Sequence, residues 1–369
     1  MMRRGLLWAV CWLAVLSPAL AVEPAEVALY ECRRCTTPPV VDGRLDDPCY
    51  AGLPVMNQFY KYWSPAPLPP PLRTEARLCC DDRGLYMGVT MFEDQLDRVK
   101  AEVTGRDNPE TWHDDCVEIM LDPHNTGSSY FKFTTNLNAV RHDQKAANLV
   151  LDDGWSVEGW QVKTSRGDGA WFIEFFLPWS DVDARPADGD TWSFDLVRYG
   201  WATGAFKGVS WSLGGAGAAP AKFGYLHFGP LQPLSDSKLQ RLAKTIRPTK
   251  GDSFRFIMPP TVYTRLPTGK WLRQDVTAWL SDDRKRVNDE LTQAQAALLA
   301  IPAGPDRERL SKAYAAVAMQ TPDATQGEET PTQPAEAVLS HYDFLRLVRQ
   351  AAEVKWEARV WELVSASVK

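Results

Sequence analysis

The densest run of chemically capable side chains is Trp112-His113-Asp114-Asp115-Cys116-Val117-Glu118-Ile119-Met120-Leu121-Asp122. In a strand, alternation sends Val117, Ile119 and Leu121 to one face and Cys116, Glu118 and Met120 to the other. The first face suits a core. The second carries Glu118, close to Trp112 and to the acidic pair Asp114 and Asp115. A flat ring beside fixed polar groups suits a pyranose, which offers a C–H face for stacking and a rim of hydroxyls for hydrogen bonding. The competing reading is a Trp buried at the start of a strand with solvated acids around it.

Catalysis is disfavoured by the same spacing. Glycosidases set two carboxyl groups about 5 to 9.5 Å apart across a cleft, and neighbouring acids on one strand do not face each other that way. No Ser nucleophile elbow or His-Glu-x-x-His run is present. The chain is therefore expected to be a non-enzyme. The net charge of −6 removes the basic face that a nucleic-acid partner requires. The 15 Trp leave rings for a binding surface after the core is filled.

Short strands separated by turn chemistry are expected over residues 36–231: Thr74 to Cys80, Leu85 to Phe92, Val117 to Leu121, Tyr130 to Asn136, Gly159 to Ser165, Ala170 to Leu177, Thr191 to Tyr199 and Gly208 to Ser212. Asp81-Asp82-Arg83-Gly84 and Gly167-Asp168-Gly169 read as hairpin turns. This regular spacing predicts a mainly β chain built on an antiparallel β-sandwich. Beyond Leu231 the composition shifts to helix formers, so 232–369 is expected to be a helical hairpin or bundle. Its helices run from Asp283 to Ile301, from Asp306 to Met319 and from about Pro334 to Ser365, with a disordered loop near 320–334. The stripe on the last helix is read as packing, on the chain itself or on a protein partner.

The basic, then apolar, then small-residue pattern over 1–21 reads as a signal peptide cut after Ala21, which implies a secreted or periplasmic protein. No later apolar stretch approaches the roughly 20 residues of a membrane span. Removing Cys11 leaves Cys32, Cys35, Cys49, Cys79, Cys80 and Cys116, an even set that predicts at least two disulfides of open connectivity. Cys79 and Cys80, as neighbours on a strand, should have different partners. Cys32-x-x-Cys35 lacks a matching second half for zinc.

Four stretches in order resemble the family 9 carbohydrate-binding module and its DOMON-like relatives. They are Val40-Val41-Asp42-Gly43-Arg44-Leu45-Asp46-Asp47-Pro48, the strand Leu85-Tyr86-Met87-Gly88-Val89 with Glu93-Asp94, the Trp112 to Asp122 run, and Ser210-Trp211-Ser212 followed by Pro220 to Leu226. The resemblance implies a bacterial role in carbohydrate catabolism, in association with a glycoside hydrolase. It also implies a sugar end unit gripped between two Trp rings: Trp112 matches one ring, Glu118 a hydroxyl-binding carboxylate and Asn136 a nearby amide. Lys132, Thr134 and Asn136 alternate with Phe131 and Phe133, which supports a shared polar face.

The departures from the family pattern are specific. Where the second Trp belongs stands Gly214-Gly215-Ala216-Gly217-Ala218-Ala219, and Thr134 replaces an Arg. Cys49 fills a position often aromatic. Trp201 or Phe206 is the candidate substitute ring. Losing a ring removes about 1 to 3 kcal/mol of stacking, so a sandwich that has lost sugar binding and serves as a protein-interaction module is one alternative. A haem-binding redox protein is another, with Met87, Met91 or Met120 and His142 or His227 as ligands, although Met87 and Met91 share a face with Leu85 and Val89 and read as core. Calcium is the cofactor the resemblance implies, with Asp42 and Asp94 as ligands among the acids Asp42, Asp46, Asp47, Asp94 and Asp97.

Overall fold

Alternation of apolar and polar residues produces most of the structure before residue 230. The computed structural model describes residues 23–64, 66–213, 219–321, 331 and 333–367. The expected signal peptide, the glycine-rich 214–217 segment and most of the expected 320–334 loop lie outside the described residues.

The strands that begin the sandwich are β2 (Leu29–Arg34), β3 (Tyr60–Lys61), β4 (Thr74–Cys80) and β5 (Gly84–Phe92), preceded by a short β1 (Ala25–Glu26). There follow β6 (Cys116–Asp122), β7 (Tyr130–Asn136), β8 (His142–Ala147), β9 (Val150–Asp152), β10 (Gln161–Gly167) and β11 (Ala170–Pro178). Last come β12 (Thr191–Gly200), β13 (Lys207–Ser210) and β14 (Gly224–Phe228). One leaf runs β10-β11-β5-β4 and the other β14-β12-β6-β7-β8-β9, with β13 and then β3 joining at β12. Within the leaves every pairing is antiparallel. β2 runs parallel to both β14 and β4 and so connects the leaves.

That connecting strand lies before residue 36, where the sequence reading began the sandwich. Leu-Tyr-Glu-Cys-Arg-Arg buries only Tyr30 and Cys32 fully, too short an apolar alternation to stand out. The expected strands otherwise fall where alternation put them. Gly169 closes the β10–β11 hairpin at φ +66°, a conformation that costs glycine little.

Between the leaves lie Met87, Val89, Met91, Val117, Ile119, Leu121, Phe133, Trp160, Trp171 and Trp211, all nearly or fully buried. Met87 and Met91 are core residues, as their shared face predicts. Of the acids in the opening motif, neither Asp114 nor Asp115 is solvated. Asp114 accepts from the amides of Glu102 and Val103, and Asp115 from that of Lys100.

The chain after residue 231 contains the three expected helices and also elements that its composition concealed. α1 (Asp236–Lys250), capped by Ser235, packs Leu239, Leu242 and Ile246 against Phe254, Phe256, Tyr263 and Tyr225. β15 (Phe254–Met258), β16 (Thr261–Arg265) and β17 (Trp271–Asp275) form an antiparallel meander, and β1 adds to it in parallel. α2 (Val276–Ala300), α3 (Pro305–Ala318) and α4 (Pro334–Ser367) complete the chain, with α2 and α4 sharing the longest helical interface. Their joint core includes Leu280, Val287, Leu291, Phe344, Leu347 and Ala351. No helix among the described residues is long and apolar enough to cross a membrane. The six cysteines from Cys32 onward are present as thiols.

A charged cluster ties the N-terminal residues to the helices. Arg255 on β15 pairs with Glu26 and, at 3.0 Å, with Glu23, and His341 on α4 pairs with Asp283 on α2 at 2.5 Å. His341 and Arg255 together hold the half-buried Glu23 carboxyl down to about 2, against the opposing effect of its burial. A carboxyl depressed in the folded state contributes stability above its ordinary value near 4.5 and loses it as pH falls toward 2. Glu23→Gln should therefore lower the urea midpoint at pH 7, and its deficit against the wild type should shrink between pH 4.5 and pH 2. Paired urea titrations across that range check it, and a deficit independent of pH would contradict the assignment.

Candidate functional site

The outer face of the second leaf holds the polar groups of the opening motif. Register sets its rows. One row is Ser210, Val197, Glu118, Thr134 and His142; the next is Asp195, Met120, Lys132 and Gln144; a third is Gly208, Tyr199, Cys116 and Asn136. The expected split of β6 into two faces is realised, because Val117, Ile119 and Leu121 enter the core while Cys116 and Met120 join Tyr62, Tyr130, Val197, Tyr199 and Phe223 on the outer side.

Glu118 is only 2% exposed. It binds Lys132 Nζ at 2.6 Å and accepts from the Tyr199 hydroxyl at 3.0 Å, which itself meets the Tyr62 hydroxyl at 3.0 Å. Burial disfavours the Lys132 ammonium, but the Glu118 carboxylate outweighs it and holds the amine above its ordinary range. Burial and then the Lys132 charge push His142 down, so its imidazole is neutral at pH 7. Burial and Glu118 push the Tyr199 phenol up, which keeps it a hydrogen donor. Two buried atoms on the same face, Thr134 Oγ1 and Gln144 Oε1, have no hydrogen-bond partner. Buried polar atoms of that kind are costly unless something satisfies them.

Two exposed Trp rings belong to segments joined to this leaf. Trp112 sits on a one-turn 3-10 helix, Pro109–His113, whose first turn is capped by the Asn108 side chain and which packs on β6 and β7. It is 45% exposed, with its ring against His113 at 3.6 Å between centroids, so the buried-Trp reading does not hold. Across the third row, beyond Tyr199, Trp63 is 69% exposed and stacks on Tyr62 at 5.1 Å. Phe206 lies 6.2 Å from Trp63 and 5.5 Å from Tyr199.

The expected residues are thus partly brought together. Glu118 lies on this outer face, and Trp112 is carried by the one-turn helix that packs on the same two strands, β6 and β7. Asn136 lies on that face as well but is fully engaged: its Nδ2 donates to Val103 O at 2.9 Å and Asp114 Oδ2 at 2.8 Å, and its Oδ1 accepts from the Asn138 and Val140 amides. That amide braces the loop under Trp112 and has no group left for a ligand, which corrects its expected role. Trp201 is half-buried with its ring 5.0 Å from Phe206, supporting that ring more than facing solvent. Trp63, Tyr62, Tyr199 and Gln144 were missed, and His142 was read only as a candidate haem ligand. Trp63 lies in an irregular segment where periodicity carries no information, and β8 alternates too weakly to be seen as a strand.

The acids implied for calcium do not gather. Asp42 turns its carboxylate to the Arg44 amide, and Asp94 is exposed. Calcium takes six to eight oxygen ligands, and among the described residues no three His, Cys, Asp or Glu side chains converge. The residues present do not fit a carboxylate-built calcium cage. His227 is also occupied, meeting the Thr191 hydroxyl at 2.9 Å.

Residues 41–212 match the family model described as carbohydrate family 9 binding domain-like. The span takes in β3 to β13 and every residue of the floor and its rings. Among solved structures, a family 9 carbohydrate-binding module from Caldicellulosiruptor kristjanssonii in complex with glucose is 15% identical, with a TM-score of 0.42 over 56% of this chain and 100% of that one. A family 9 module from the same organism, in complex with cellotriose, is 15% identical with a TM-score of 0.42 over 57% and 96%. No curated protein matches the chain.

The Glu118–Lys132 pair makes a testable demand. Lys132→Met leaves a buried carboxylate without its cation and should cost about 3 to 5 kcal/mol. Adding Glu118→Leu to it should restore most of that loss. Urea unfolding of both variants is the check, and equal destabilisation by the single and double substitutions would count against the pairing.

Proposed function

We propose that this protein, whose residues 41–212 match the carbohydrate family 9 binding domain-like model, is a secreted, non-catalytic carbohydrate-binding protein whose sugar lies on the outer face of the second leaf. The observation that carries this reading is the pairing of exposed rings with a desolvated polar floor. Trp112 and Trp63 are exposed, and Glu118, Lys132 and the unpartnered Thr134 and Gln144 atoms share the outer face of the leaf on which the Trp112 helix packs. Apolar stacking and hydroxyl bonding are the two things a sugar ring requires.

In this reading Trp112 stacks on one face of the terminal ring. Trp63 takes the part that a Trp near residues 214–219 would have had. Glu118 accepts from a sugar hydroxyl while Lys132 neutralises it. The floor supplies no second carboxyl free to act as an acid, since Asp195 is bound by Ser210 and Ser212, so binding without turnover is the function proposed. The glycoside hydrolase association implied by the sequence resemblance would then be one of proximity, the sandwich holding polysaccharide for an enzyme. A protein partner through the C-terminal helices is supported by the exposed Trp356 and Leu363 of α4.

Calorimetric titration of the full chain with glucose and cellotriose tests the reading. Trp112→Ala and Trp63→Ala should each weaken binding by about tenfold or more, as the loss of about 1 to 3 kcal/mol of stacking implies. Both should leave the Tm nearly unchanged, because the rings are exposed. A wild-type chain that binds neither these nor other mono- and oligosaccharides would overturn it and leave the sandwich an interaction module.

A further inference from the structure

Five of the six cysteines from Cys32 onward meet where β2 runs beside β4, and the register sorts them. Arg33 lies opposite Cys79 and Arg34 opposite Cys80. Alternation along each strand therefore places Cys32 and Cys80 on the core side, where both belong to the buried cluster between the leaves. It places Cys35 and Cys79 on the outer side, under the one-turn helix Pro48–Tyr50 that carries Cys49. The thiols influence one another in that same pattern, Cys80 acting on Cys32 and Cys79 on both Cys35 and Cys49, and the Cys35 thiol donates to Cys80 O at 3.4 Å. The Cys35 backbone is fixed there as well, its amide donating to Cys80 O at 2.9 Å.

We propose that this corner is an oxidation site with a fixed connectivity, Cys32 to Cys80 on the core side and Cys35 to Cys79 on the outer side, leaving Cys49 and Cys116 as thiols. Neither adjacent pair in the sequence can supply the bridges. Cys32 lies on β2 and faces the core whereas Cys35, just past its end, does not belong to that cluster, and Cys79 and Cys80 point to opposite sides of β4. Cys49 is half-buried over the second bridge and is placed to exchange with it, whereas Cys116 is fully buried on the far leaf beside Tyr199 and Asn136.

The oxidant is a low-molecular-weight disulfide such as oxidised glutathione. For each bridge one cysteine thiolate attacks the oxidant, releasing one small thiol, and the second cysteine displaces the other. A protein S–S bond forms, the oxidant's S–S bond breaks, and the two thiol protons leave with the two small thiols. Cys32 and Cys80 are almost wholly buried, so the exchange precedes closure of the corner during folding. The first bridge ties together the two leaves' connecting strand and its neighbour, closing the chain from residue 32 to residue 80.

The test is refolding of the full chain with oxidised glutathione, denaturation without reduction, alkylation and peptide mass mapping. In the wild type Cys32, Cys35, Cys79 and Cys80 should resist alkylation while Cys49 and Cys116 react. Because Cys79 and Cys80 share a peptide, Cys80→Ser and Cys79→Ser separate the bridges. Cys80→Ser should expose Cys32 and leave Cys35 blocked, and Cys79→Ser should do the reverse. Should either variant fail to refold, Cys32→Ala and Cys35→Ala read the same bridges from the β2 side. Alkylation of all six thiols in the wild type overturns the proposal, as does a blocked Cys49 with a reactive Cys35, or Cys32 and Cys35 both blocked in both β4 variants.

Discussion

A carboxylate in the middle of a sheet face, almost entirely removed from water, is the constraint on which the outer face of the second leaf depends. Glu118 cannot sit there alone, since an unpaired buried charge costs several kcal/mol. Lys132 answers it from β7, one register position away, and Tyr199 answers it from β12. Those two partners come from strands on either side of β6, so the ion pair presupposes the order β12-β6-β7 and its register. A slip by one residue would turn Glu118 into the core and Ile119 out of it. The same pair makes the floor polar and dry, a setting in which hydrogen bonds to a ligand are stronger than they would be in water.

The rest of the architecture supports that face from behind and from the edges. The core between the leaves is filled by Trp160, Trp171, Trp211 and their neighbours, so β6 is held flat against a close-packed layer. β2 joins the leaves through two parallel pairings, and the 100–103 loop is fastened by Asp114, Asp115 and Asn136 beneath the helix that presents Trp112. The acids and amide of the motif thus act on the backbone. Their work is to hold the loop in place, and on the floor the carboxylate paired with a cation is that of Glu118.

Much of this was legible in the sequence, and where it was not the reason is physical. Period-two alternation is a strong pattern when one face is a core, so β4, β5, β6, β7, β11 and β12 were readable to within a residue or two, and so were the two faces of β6. Helices with a continuous apolar stripe and a Pro-Gly break, such as α2 and α3, were readable for the same reason. β2, β8 and the β15–β17 meander were not. Their residues are polar on one side and only thinly apolar on the other, or are buried by a partner far away in the chain. The site was half-legible. Trp112 and Glu118 lie on one strand and its approach, whereas Lys132, Tyr199 and Trp63 join them only through sheet order. Asn136 shows the converse. Its position on the polar face was readable, but that its hydrogen bonds are all taken by Val103, Asp114, Asn138 and Val140 depends on a loop that periodicity does not describe.

The central claim is that a sugar occupies the space between Trp112 and Trp63 above Glu118. Its most direct test is a two-dimensional NMR titration of the 15N-labelled chain with cellotriose, following the Trp indole N–H resonances. The account predicts that the Trp112 and Trp63 resonances shift with a common saturation curve while those of the buried Trp160, Trp171 and Trp211 stay in place. Shifts confined to other indoles, or none at millimolar ligand, would contradict it.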